Sequence, residues 1–92
     1  MATLDELAVK IIKEQELVIG PMAWAEASKV SGIAIDNNSH SVNIGDMGKA
    51  AIDQLVSRYE RLFGRAAHEV CRDAVKSLIA TMSPADVPAS LQ

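Results

Sequence analysis

A single cysteine, Cys71, stands in a chain of 92 residues, so no internal disulfide can form and nothing calls for an oxidising compartment. Three prolines and five glycines exclude collagen-like and low-complexity chains. Aromatics are equally scarce, with Trp24, Tyr59 and Phe63 the only ones. The core must therefore be built from aliphatic side chains and alanine. No apolar run approaches the ~20 residues that a membrane helix needs, so no membrane partner is expected. The opening Met1-Ala2-Thr3-Leu4-Asp5-Glu6 is acidic where a signal peptide carries basic residues and then an apolar stretch. A cytoplasmic protein is expected. There is also no basic excess, with 9 Lys and Arg against 12 Asp and Glu. That balance argues against nucleic acid as a partner, because duplex binding rests on phosphate neutralisation.

The charge is unevenly spread. Residues 1–46 hold three lysines and seven acids, while residues 47–92 hold six basic and five acidic groups. Such polarity bears on association more than on fold. Apolar residues make up 49% of the chain, which is the globular norm. At this length one domain covering residues 1–92 is expected.

The periodicity predicts a mainly α fold: a small four-helix domain in the order α-α-hairpin-α-α. Its predicted helices cover residues 4–18, 21–31, 46–63 and 65–82, with a hairpin or extended loop at 33–44 and a short tail at 83–92. Thr3 and Glu6 form a capping box ahead of Leu4, Leu7, Ala8, Ile11 and Ile12 at helical spacing. Gly20-Pro21 stops that helix, and Pro21 suits the first position of the next. Ile33 and Ile35, then Val42 and Ile44, alternate with small or polar residues around an Asn37-Asn38 turn. Asp46 is the predicted N-cap of the third helix, and Gly48 falls in its first turn. Ala51, Ile52, Leu55, Val56, Tyr59, Leu62 and Phe63 then form one stripe. After Gly64 a second stripe runs through Ala67, Val70, Cys71, Ala74, Val75, Leu78, Ile79 and Met82. So tight a break predicts an antiparallel pair. The predicted core comprises Ile11, Trp24, Ile52, Leu55, Tyr59, Val70, Ala74 and Leu78.

Two stripes this wide exceed what one small domain can hide, and a two-fold dimer is the commonest way to close the surplus. A homodimer is therefore expected. Arg58, Arg61 and Arg65 fall at i, i+3 and i+7. If the helical face continues across Gly64, they form a ridge of guanidinium forks suited to carboxylates or phosphates. The expected partner for that ridge is an acidic protein surface. The competing reading is an ordinary solvated face.

Tests for chemistry mostly fail. Gly45-Asp46-Met47-Gly48-Lys49-Ala50 lacks the first glycine and the final Ser or Thr of a phosphate loop. Asp36-x-Asn38-x-His40 opens like a calcium loop but has Ser41 and Met47 where glycine and a bidentate Glu are needed. His68 lacks the flanking residues of a phosphorelay histidine. Ser31, Ser39, Ser41 and Ser83 lie at turns, outside any nucleophile elbow. No catalytic residue, metal site or cofactor is expected. The resulting expectation is a non-enzymatic interaction or regulatory module. The alternative is a small-molecule, metal or redox sensor using Trp24, His68 and Cys71, since His68 and Cys71 are three apart on one helix. A DNA-binding regulator ranks third, its predicted hairpin holding no Lys or Arg.

Overall fold

The computed structural model describes residues 2–36 and 38–92. Helix α1 spans Leu4–Ile19 and α2 Met22–Ala27; strands β1 and β2 cover Ile33–Asp36 and Ser41–Ile44; α3 spans Lys49–Phe63 and α4 Arg65–Ile79. Two single turns of 3₁₀ helix, Pro84–Asp86 and Ala89–Leu91, close the chain. The expected mainly α order with a hairpin after the second helix is thus present.

Thr3 caps α1 as its sequence implies, its Oγ1 accepting the Glu6 N–H at 3.2 Å. The Glu6 carboxylate, however, accepts the Thr3 hydroxyl at 3.3 Å. Leu7, Ala8, Ile11 and Ile12 are fully buried, so this helix is as central to the core as any. Gln15 Nε2 donates to the Ala67 carbonyl at 2.8 Å and to Cys71 Sγ at 3.3 Å. Leu78 faces the first half of α1, beside Asp5, Glu6 and Val9. Together these contacts set α1 antiparallel to α4. The α3–α4 pair packs closely, and α1 packs against α4 and also touches α3.

Helix α2 is shorter than expected. Ser28 Oγ donates back to the Ala25 carbonyl at 2.7 Å, competing with the helical ladder. Lys29 and Val30 then bond three residues back. Helix α2 runs antiparallel to α3: Val30 lies beside Gln54, Glu26 meets Arg58, and Tyr59 Oη donates to the Ala23 carbonyl at 2.6 Å.

The hairpin pairs Ile33 with Ile44 and Ile35 with Val42. All four therefore share one face, and that face turns toward the helices, with Ile33 and Val42 buried. Asp5 Oδ1 accepts the Ile44 N–H at 2.8 Å, which fixes β2 to the start of α1. Asn37, half of the predicted Asn-Asn turn, lies outside the described residues.

Two other boundaries and two core positions differ from expectation. Asp46 does not cap α3. A turn through Gly45 to Gly48 intervenes, and Gly48, at φ +55°, holds the cap position rather than the first helical turn. Helix α4 stops at Ile79, where Thr81 and Met82 bond three residues back. The expected tail docks on the body as a strap: Val87, Pro88 and Leu91 are buried, and Asp53 Oδ1 accepts both the backbone N–H and the hydroxyl of Ser90. Val70 and Leu78, expected in the core, are only half-buried. Val70 lies at the edge of its stripe. Leu78 lies at the end of its helix, where fewer elements can cover it.

Both helix corners turn on glycine. Gly20 has φ +75° and ψ −157°, and Gly64 has φ +88° and ψ −178°. That region of backbone space belongs essentially to glycine. A Cβ at either position would meet nothing within 4 Å, so the strain from substitution is torsional. Gly64→Ala should lower stability by about 1–3 kcal/mol, read as a lower urea midpoint at constant slope. A change within about 0.5 kcal/mol, as at an ordinary surface position, would show that the corner accommodates a side chain.

Candidate functional site

Two surface features stand out, one apolar and one charged. The Gln15–Ala67 contact places the end of α1 beside the start of α4. Gly20 follows α1, and Gly64 joins α3 to α4. The two helix corners therefore lie at the same end of the molecule. The antiparallel course of α2 along α3 carries Met22 toward the last turn of α3. Five large apolar side chains are exposed at this end: Leu17, Val18, Met22, Leu62 and Phe63. Leu17 is 80% exposed and Val18 66%. Val18, Leu62 and Phe63 continue the stripes of α1 and α3 beyond the last packed layer, where no neighbouring element covers them. The exposed end of the α3 stripe, Leu62 and Phe63, is legible in the sequence. Leu17, Val18 and Met22 are not legible as part of this end, because their placement depends on how the chain folds back.

The ends of α1 and α4 here carry unhelpful charges. The last turn of α1 holds Glu16 and no cation, whereas a helix C-terminus favours cations; Glu14, before it, is paired with Lys10 at 3.4 Å. The first turn of α4 opens on Arg65 and holds no acid. Arg65 and Glu16 make no ion pair among the described residues.

The second feature is a concavity of about 180 Å³ between the end of α2 and the outer face of α3. Lys29, Val30, Gln54, Ser57, Arg58 and Arg61 line it. Arg58 and Arg61 of the expected ridge are therefore together, one turn apart on α3. Arg65 is not with them, because Gly64 ends α3 and redirects the chain. Lys29 takes its place. Arg58 Nε and Nη2 donate to Glu26 Oε1 at 2.9 and 2.8 Å, and Lys29 Nζ donates to Glu26 Oε2 at 3.3 Å. The Arg58 guanidinium, with Lys29 beside it, holds the Glu26 carboxyl below the usual carboxylate range. Arg61 is exposed and makes no ion pair among the described residues. The Glu26–Lys29 spacing, at the end of α2 and just past it, was the available signal for this cluster. Its apposition to α3 required the tertiary fold.

The residues of the sensor alternative are each engaged separately. Trp24 is buried and stacks on His40 of the hairpin turn, the ring centroids 4.1 Å apart and 15° from parallel. His40 adopts φ +53° there. His68 Nε2 donates to the Ser90 carbonyl at 2.7 Å, and its Nδ1 lies 3.4 Å from Glu60 Oε2. His68 thus holds the C-terminal strap. Cys71 is fully buried and accepts the Gln15 amide. Burial pushes its thiol up from 9.0 to about 11 despite that amide. A neutral thiol is neither a good nucleophile nor a metal ligand. No group of three or more His, Cys, Asp or Glu side chains suited to a metal occurs among the described residues. No helix among them is long and apolar enough to cross a membrane.

The raised Cys71 pKa makes stability depend on alkaline pH. The folded thiol resists ionisation that the unfolded chain permits. Its contribution is therefore fully present below pH 9 and declines as pH rises from about 9 to 11. The loss should reach about 3 kcal/mol. Cys71→Ala should lose less stability than the parent across that range in thermal melts. Parallel curves would show that the thiol ionises as freely folded as unfolded. Comparison with protein-family models, curated proteins and solved structures finds no match to this chain.

Proposed function

We propose that this chain is a non-enzymatic protein–protein interaction module of the cytoplasm, of a regulatory or accessory kind, that self-associates through the end bearing its two helix corners. The observation that carries this reading is the group of five exposed apolar side chains at that end, Leu17, Val18, Met22, Leu62 and Phe63. Single exposed apolar residues are ordinary, whereas five at one end of so small a domain favour an interaction surface. A second copy of the chain is the occupant that the charges favour. In a two-fold interface one patch meets itself. Glu16 lies in the last turn of α1 and Arg65 opens α4, so opposite charges stand at two helix ends of this region. In a two-fold pair Glu16 of one copy would face Arg65 of the other. That apposition supplies each helix terminus with the charge its dipole favours.

Light scattering on a sizing column tests this directly. The parent chain should show a mass near twice 9.8 kDa, falling toward one chain on dilution. Val18→Glu and Leu62→Glu should each give the mass of one chain. Their unfolding free energies should stay within about 1 kcal/mol of the parent's under conditions where both are monomeric. A parent that runs as one chain at its highest soluble concentration overturns the reading.

A further inference from the structure

The concavity between α2 and α3 has the composition of a binding site. Three cations line it, Lys29 from the turn after α2 and Arg58 and Arg61 from α3, together with the neutral hydrogen-bonding groups of Gln54 and Ser57. One carboxylate, Glu26, stands against the three cations, so two positive charges are left over. Both Glu26 oxygens are engaged, Oε1 by Arg58 and Oε2 by Lys29. Glu26 therefore acts as a brace. A guanidinium has five N–H groups and an ammonium three. Arg58 directs its Nε and Nη2 to the brace and Lys29 its Nζ, which leaves donors on both free for a ligand. Fixing Arg58 in advance lowers the ordering cost of binding. Arg61 stands exposed one helical turn away and completes the rim.

We infer that this concavity binds the phosphoryl group of a phosphate monoester. Charge and size together select that chemistry. A carboxylate would cancel one of the two surplus charges. A phosphate monoester carries about −1.5 to −2 at neutral pH and matches both. Its oxygens also match forked donors arriving from several directions. Sites for whole drug-sized ligands run to about 300–1,000 Å³, well above the 180 Å³ found here. The site therefore admits the phosphoryl group, and the remainder of the ligand lies outside along α3. Arg65 takes no part. This inference is independent of self-association and holds equally for one copy or two.

The test is a titration of the full chain followed by amide and arginine side-chain NMR shifts, at constant ionic strength. The probes are inorganic phosphate, a sugar phosphate, a short phosphoserine peptide and acetate. Phosphate should bind saturably, with shifts centred on Lys29, Gln54, Ser57, Arg58 and Arg61, and more tightly than acetate. Arg61→Gln should weaken phosphate binding about ten-fold or more, the scale of a lost hydrogen bond to a charged group. Arg72→Gln, outside both the concavity and the apolar end, should leave it unchanged, and both variants should keep the parent's dispersed spectrum. Tighter binding of the sugar phosphate than of phosphate identifies a metabolite as the source, and tighter binding of the peptide a modified protein. Shifts that do not saturate, that spread equally over Arg65 and Arg72, or that survive Arg61→Gln unaltered would overturn the site.

Discussion

Gln15 lies where α1 crosses the start of α4, and its amide is buried in an otherwise apolar core. A buried amide without a partner costs about 1–3 kcal/mol. Its donors reach the Ala67 carbonyl and Cys71 Sγ, so the two helices are held in one register. Apolar stripes alone permit small slips along a helix pair, whereas a buried polar contact does not. The antiparallel order of α1 and α4 then follows, as does the side-by-side position of the two helix corners. The apolar end of the molecule exists because of that register.

The polar contacts around the core share a pattern. Tyr59 Oη reaches the Ala23 carbonyl, Asp5 takes the Ile44 N–H, and Asp53 takes the N–H and hydroxyl of Ser90. Each joins segments distant in sequence, and each satisfies a backbone group near the end of a short element. α2, the hairpin and the C-terminal strap are too short to be stable alone. These bonds let them dock on the α1–α3–α4 body. Burial of Val30, Ile33, Val42, Val87 and Leu91 supplies the hydrophobic part of the docking.

The two surface features differ in how they are held. In the basic concavity Glu26 braces Arg58 and Lys29, while Arg61 makes no ion pair among the described residues. The apolar end has no such brace; its side chains project from two corners whose shape depends on Gly20 and Gly64. Those corners hold backbone conformations closed to other residues.

The sequence by itself determined the element types and most of the core. Helical periodicity and the Thr3 cap defined α1, the stripes and Gly64 defined α3 and α4, and the alternation at Ile33–Ile35 and Val42–Ile44 defined the hairpin. These are local signals, carried by residues within one or two turns of each other. Element ends were read less well. Ser28 competes for the α2 ladder through a local bond, and Asp46 gives way to Gly48 because the hairpin fixes where the chain enters α3. Only the tertiary structure decided which side chains meet across elements. It separated Trp24, His68 and Cys71 into three unrelated contacts, removed Arg65 from the arginine ridge and brought Lys29 into its place. It also gathered Leu17, Val18 and Met22 with the end of α3. The physical reason is that periodicity gives the face of a helix, while the relative placement of two faces is set by long-range contacts, here above all that of Gln15 with α4.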